Sequence, residues 1–353
     1  MDNIYYSEIT RFDDFFQSLK KEYRLFSPAL KRAEVSPSAD YSYKESKEAE
    51  PLLFNPYRLT EPLKTFFTPA AEQIAEYFSS GNKAEEIGKT IVFGVKNCDL
   101  IGHKIQDFVF LEGQEVDSLY RVRRENTILV SGDCTDYKPV CHCLAWDVFP
   151  YPQAGFDLNI SPLNEGYVVE AGSKRGAGLI EQHREYFSQA KESQVLARQK
   201  KRESLIYRLR VNLLSQNLVP KNTVQDLVRR GYGLDTWRNY MLTCVECGGC
   251  NLICDTCHCF LLADKKKGCH NFKLRAWDSC QYPDFTRVAG GARALKTRSE
   301  RLRNRFMKKF DFFVDNLDMP ACCGCGRCIE VCPGKIDIRE VLKDLAKKLN
   351  NKP

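Results

Sequence analysis

Two runs of cysteines with identical spacing constrain this chain more than any other feature. The first places thiols at Cys244, Cys247, Cys250 and Cys254, the second at Cys322, Cys325, Cys328 and Cys332, with Pro333 directly after. Both read Cys-x2-Cys-x2-Cys-x3-Cys. Three thiols at that spacing on a tight loop reach three irons of one cubane cluster, and Gly248, Gly249, Gly324 and Gly326 let backbone amides approach the sulfides. Where two such runs share a chain, the fourth thiol of each serves the other cluster. The spacing therefore predicts Cys244, Cys247, Cys250 and Cys332 around one [4Fe-4S] cluster, and Cys322, Cys325, Cys328 and Cys254 around a second. Zinc accepts four thiolates too, but commonly on separated Cys-x2-Cys knuckles, so iron–sulfur is the better reading. Cys323 has no place in this scheme and is expected to pack as a small buried hydrophobe.

The chain has 17 cysteines in 353 residues. A disulfide framework would need an oxidising compartment, and the start Met-Asp-Asn-Ile-Tyr-Tyr-Ser-Glu shows neither a basic-then-apolar leader nor a twin arginine. No stretch has the apolar length of a membrane span. A cytoplasmic setting with metal-bound thiols is expected. The formal charge of +7 counts thiols as neutral. Since an oxidised cubane with four thiolates carries a net −2, three clusters would lower the total to about +1 and four to about −1.

The predicted architecture is α+β: an N-terminal α/β domain over 1–210, then a split two-cluster ferredoxin-like domain over 211–353 with an insertion at 255–321. Phe12, Phe15, Phe16, Leu19 and Tyr23 fit an amphipathic helix, and 38–50 reads as an exposed polar loop. Thr90–Val95, Thr127–Val130 and Tyr167–Glu170 read as strands. Asp99 is placed to cap a helix running through Ile105 and Phe108. Residues 178–209 read as one long charged helix, and 222–230, 235–243 and 293–309 as further helical stretches. Ile336–Ile338 reads as a short strand ahead of a helix at 339–348.

Cys98 and Cys134 each follow a predicted strand. If those strands are parallel neighbours, both thiols emerge at the sheet edge where open α/β sheets bind ligands. Cys141 and Cys143 would complete four ligands, making a third cluster there the preferred reading over chance burial. Cys257, Cys259, Cys269 and Cys280, in the insertion, are candidates for a fourth site, for the lining of a neighbouring cluster, or for inert packing. His142, His258 and His270 are better read as surface or packing residues than as ligands. There is no Gly-x-Gly-x-x-Gly after a strand and no phosphate loop, so a flavin or nicotinamide is expected on a partner.

The chain resembles the iron–sulfur family of hydrogenase or sulfhydrogenase beta subunits and the A subunit of anaerobic sulfite reductase. The marks are Asn97-Cys98-Asp99-Leu100, Tyr120-Arg121, Arg123-Arg124-Glu125, Cys141-His142-Cys143, Trp237, Cys257-His258-Cys259, Arg275–Cys280 and Cys332-Pro333. Asp255 departs from the proline that usually follows the first run. The resemblance implies a non-catalytic electron-transfer subunit of a soluble multisubunit oxidoreductase of anaerobic metabolism. It would relay single electrons between a flavin-containing NAD(P)- or ferredoxin-linked subunit and a catalytic redox subunit. No acid–base pair suggests substrate chemistry. The alternatives are a catalytic disulfide- or sulfur-reducing iron–sulfur subunit, with an open-coordinated cluster bound by Cys257, Cys259, Cys269 or Cys280, and a nucleic-acid-binding protein with structural clusters, the latter motivated by charge alone.

Overall fold

The computed structural model describes residues 3–31, 40–46, 50–77 and 88–350. Its larger sheet contains β1 (Ile4–Glu8), β2 (Arg24–Leu30), β3 (Tyr41–Glu45), β5 (Thr90–Val95), β6 (Thr127–Gly132), β7 (Leu158–Pro162), β8 (Gly166–Ala171) and β9 (Ser188–Gln189), in the order β3-β2-β5-β6-β7-β8-β1-β9. A smaller sheet joins β4 (Ala71–Glu76) to a hairpin of β10 (Phe260–Lys267) and β11 (His270–Trp277). The fold is α+β, with the thiol-rich segment following the N-terminal α/β region.

Strands β2, β5, β6 and β7 are parallel; those outside them are antiparallel. A parallel strand is covered on both faces, and β6, Thr-Ile-Leu-Val-Ser-Gly, is buried at every position. On one face, Phe12, Phe15, Phe16 and Leu19 of helix Ile9–Leu19 pack against Ile91, Phe93 and Val130. On the other, helices Asn97–Leu111 and Ser118–Asn126 bring Leu100, Phe110 and Tyr120 over Val92, Val95 and Leu129. A further core forms among C-terminal helices. There Ile338, Val341, Leu342 and Leu345 present an i, i+3, i+4, i+7 stripe on helix Ile338–Asn350 to Val224, Val228, Trp237 and Phe306.

Several local expectations change. Within 38–50, residues 41–45 form edge strand β3, whereas 38–39 and 47–49 lie outside the described residues. Tyr23 lies beyond the helix that ends at Leu19. The stretch 178–209 is broken: one helix ends at Gln182, β9 intervenes to pair with β1, and a second helix spans Glu192–Gln216. The boundary drawn at 210 falls inside that second helix. Asp99 occupies the first turn, not the cap, and accepts the Lys96 amide at 3.0 Å. Ile336–Ile338 forms no strand; the helix starts at Ile338, with Asp337 accepting the Arg339 amide at 2.8 Å.

Candidate iron–sulfur site

The two cysteine runs fold alike. In each, a glycine at positive φ, Gly248 (71°) or Gly326 (72°), reverses the chain and opens a one-turn helix, Gly249–Leu252 or Arg327–Glu330. These two short helices pack against each other. Each therefore carries its run's third cysteine, Cys250 or Cys328, into the space between the runs. Side chains are excluded at both glycines: a Cβ on Gly248 would meet Tyr282 Oη at 2.6 Å, and one on Gly326 would meet Val140 O at 2.6 Å.

The fourth thiols cross over. Cys244, Cys247, Cys250 and Cys332 line one cavity, and Cys328 lines it with them. Backbone amides there point at sulfur, with Glu246 N 3.4 Å from Cys244 Sγ and Ile336 N 3.3 Å from Cys332 Sγ. Burial raises the Cys244 thiol and pushes Cys250 to about 12. Cys254 lies instead within electrostatic range of Cys322, Cys325 and Cys328. Burial pushes Cys322 to about 12. Cys254 is held well below the ordinary thiol range by a hydrogen bond from Cys257, with Lys309 Nζ 3.4 Å away. A hydrogen bond from Cys323 lowers Cys325 to about 6, aided by Arg327 and Arg58. Cys323 thus packs as expected, buried, and also donates to its neighbour.

The N-terminal thiols also converge. β5 and β6 are parallel neighbours, so Cys98, on the first turn after β5, and Cys134, just after β6, share a sheet edge. The loop bearing Cys141 and Cys143 closes over them, fixed by the His142 amide donating to Gly324 O at 2.8 Å and by Asn212 Nδ2 donating to Cys141 O at 3.1 Å. Cys134 is electrostatically coupled to Cys98, Cys141 and Cys143, and burial drives all four thiols upward, Cys134 to about 12. This group abuts the second run. A Cβ on Gly324 would lie 2.5 Å from Cys143 Cα, and Cys325 acts on both Cys98 and Cys141.

The insertion thiols divide. Cys257, Cys259 and Cys280 border one cavity with His258, Lys308 and Lys309. Cys259 donates to Cys280, which Asn251 Nδ2 also reaches at 2.9 Å, and Cys280 falls to about 5. Cys269 is not brought to them. It sits exposed in the β10–β11 turn, whereas Cys259 and Cys280 flank the opposite end of the hairpin, about 25 Å away at ~3.3 Å per residue. Among the described residues, no three or more His, Cys, Asp or Glu side chains close around a point as they would around a single metal ion. His142 is buried and pushed to about 4 by desolvation, as is His258; His270 is exposed beside Glu76.

Residues 243–336 match the family described as a 4Fe-4S dicluster domain. Over 343 residues the chain is 29% identical to the sulfhydrogenase 2 subunit beta of Pyrococcus furiosus, covering 96% of this chain and 97% of that protein. The chain is thus similar over nearly its whole length to that beta subunit, and its C-terminal part to the dicluster domain. The matched segment holds the eight thiols of the two runs, with amides directed at sulfur and buried cations nearby.

Those cations were not legible in the cysteine spacing. Arg305 and Lys309, on one face of the segment after Thr297, are buried against both groups, and nearby thiolates raise Arg305 well above its ordinary range. Arg327 lies inside the second run. Its guanidinium bridges Asp99 at 2.6 Å and Asp255 at 2.9 Å, with side-chain exposures of 1%, 0% and 2%. Asp255 also accepts the Lys64 amide at 3.1 Å. In place of the expected proline stands a carboxylate that ties the first run to the second, to the helix after β5 and to Lys64. Arg58, donating to Cys325 O at 2.7 Å, adds another tie to the N-terminal region.

Among the described residues no helix is long and apolar enough to cross a membrane.

Proposed function

We propose that this chain is a cytoplasmic, non-catalytic electron-transfer subunit. It would relay single electrons between a flavin-containing NAD(P)- or ferredoxin-linked subunit and a catalytic redox subunit of the hydrogenase or sulfite reductase type. The observation that carries this reading is the continuity of the thiol groups. The cavity of Cys244, Cys247, Cys250 and Cys332 begins at exposed Cys247. Cys328 joins it to the group with Cys254, Cys322 and Cys325. Cys325 in turn adjoins Cys98, Cys134, Cys141 and Cys143. A route from surface to interior is what a relay needs and an isolated structural site does not.

Cys244, Cys247, Cys250 and Cys332 would hold one cubane, Cys322, Cys325, Cys328 and Cys254 a second, and Cys98, Cys134, Cys141 and Cys143 a third. When bound, each supplies one-electron chemistry between its 2+ and 1+ states. The chain's own part is to exclude water, to place amides and cations against thiolates, and to fix the groups relative to one another through Arg327, Asp255 and Arg58. The paired Cys259 and Cys280 beside a basic cavity support a second reading, in which that pair acts on a disulfide or sulfur substrate.

The test is anaerobic isolation with iron and sulfide counts, EPR on graded reduction, and identification of co-purifying subunits. About twelve irons per chain with three reducible signals is expected. About eight, with Cys98→Ser unchanged, removes the third group from the relay. Turnover of a disulfide by the isolated chain with an artificial donor would favour the second reading.

A further inference from the structure

The helix Glu192–Gln216 turns an unusual face toward the sheet. Arg198, Lys201, Arg202, Leu205 and Arg208 follow i, i+3, i+4, i+7 and i+10 spacing, so they share one side. Where a helix covering a sheet ordinarily presents apolar side chains, this face presents four cations around Leu205. Opposite lie the carboxyl ends of the parallel neighbours β6 and β7, with Asp133, Cys134, Thr135 and Ser161. Helix and strand ends enclose a cavity of about 290 Å³. That is close to the lower limit of small-molecule sites, about 300 Å³. The end of parallel strands is also where open α/β sheets receive ligands.

The charges here are not balanced within the cavity wall. Asp133 is the one carboxylate among its lining residues, and both its oxygens are taken up: Arg202 Nε reaches one at 2.7 Å, while Arg202 Nη2 and Asn159 Nδ2 reach the other at 3.0 and 2.9 Å. Lys201 Nζ has the neutral acceptors Pro162 O and Asn164 Oδ1, both at 3.2 Å. Arg198 is 8% exposed; it pairs with Glu170 at 3.0 Å, yet its buried Nε has no partner. Burial, and then the nearness of Arg202, pulls its guanidinium below the ordinary value. Arg198 and Arg202 lie close together with little access to water, while Lys201 and Arg208 are exposed and Arg208 pairs with Asp136 at 2.5 Å; a bound anion would relieve the repulsion between the two buried guanidiniums.

We propose that this cavity binds a compact oxyanion, the phosphate or carboxylate group of a small molecule, directly beside Cys134. Lys201 and Arg198 supply the charge, Thr135 and Ser161 the hydroxyls, and Arg202, stacked on Tyr151 with its carbon 4.2 Å from the ring centre, the fixed wall. The site stands whether or not Cys134 holds a cluster, because none of these contacts involves the thiol. It gives the chain a binding function of its own, next to the group that lies furthest from exposed Cys247 in the series of thiols.

The experiment is isothermal titration calorimetry on the anaerobically isolated full chain with pyrophosphate, AMP and citrate as separate probes, repeated on Lys201→Gln, Arg198→Met and Arg184→Gln. Arg184 is a surface arginine outside the cavity. At least one probe is expected to bind saturably below about 1 mM, weakened about tenfold or more in Lys201→Gln and unchanged in Arg184→Gln. Pyrophosphate binding best identifies a phosphate source, AMP a nucleotide, and citrate a carboxylate. Arg198→Met should act like Lys201→Gln; if it fails to fold, Lys201→Gln alone carries the comparison. No saturable heat from any probe up to about 10 mM, or equal weakening in Lys201→Gln and Arg184→Gln, overturns the proposal.

Discussion

Replacing Arg327 by methionine removes the cation that pairs with both Asp99 and Asp255. All three side chains are at most 2% exposed, so water cannot readily take its place. The guanidinium also donates to Leu59 O at 2.9 Å. Removing one partner of a buried ion pair typically costs about 3–5 kcal/mol, because the other charge stays buried and uncompensated. Here two carboxylates lose their partner. One can escape part of the cost by taking up a proton: burial already raises Asp255 well above the ordinary carboxylate range, and Arg327 is what opposes it. The expected loss is therefore about 4 kcal/mol rather than twice that. The assay is urea unfolding of the anaerobically isolated protein, followed by far-UV circular dichroism. Adding Asp255→Asn to Arg327→Met should restore at least about 1 kcal/mol, since the pair fails together. A loss within about 1 kcal/mol of wild type, or strict additivity of the two substitutions, would refute the reasoning.

Lys309→Met removes the cation 3.4 Å from Cys254 Sγ. The reduced, more negative state loses more than the oxidised one, so the potential measured by EPR-monitored titration should fall on the order of 50 mV; a rise would count against the placement. Cys134→Ser should lower the iron content by about four atoms per chain, whereas Cys269→Ser should leave it unchanged; loss of iron from Cys269→Ser would contradict the hairpin geometry. Burial holds His103 down to about 3 from 6.5, so the unfolded chain takes up this proton first as pH falls. His103 thus favours folding least at low pH: stability should drop through the window from 6.5 towards 3 by up to about 1.4 kcal/mol per pH unit. His103→Gln should show a shallower decline between pH 7 and pH 5, and parallel curves would exclude this role.

The parts of the fold that local chemistry dictates were legible in the sequence. Thr90–Val95 and Thr127–Val130 are continuous apolar runs, so β5 and β6, and the position of the thiols after them, follow from residue type. Phe12, Phe15, Phe16 and Leu19 announce their helix by spacing alone. Elements defined by distant partners were not legible. Ala71–Glu76, Ala-Glu-Gln-Ile-Ala-Glu, has little strand character of its own and is a strand because β11 lies beside it. Ser188–Gln189 interrupts a helical stretch because β1 offers an edge. The Asp99–Arg327–Asp255 bridge joins residues from three regions of the chain, and no spacing rule reaches across such separations. Cys269 looked equivalent to its neighbours in sequence, but β-register carried it to the far end of a hairpin.

The pairing of β4 with β11 limits how the dicluster domain can be handled as a module. Strand β11 lies within the matched 243–336 segment, but its outer edge is filled by residues 71–76, and the second run is anchored through Arg58 and the Leu59 carbonyl. A fragment cut at residue 243 would expose an open strand edge and leave Arg327 without Asp99, inviting self-association. Transplanting this pair of cysteine runs into another protein therefore requires residues 58–77 and the Asp99 helix as well. The inheritable unit is a discontinuous one, and recombination within the N-terminal region would disable the C-terminal half.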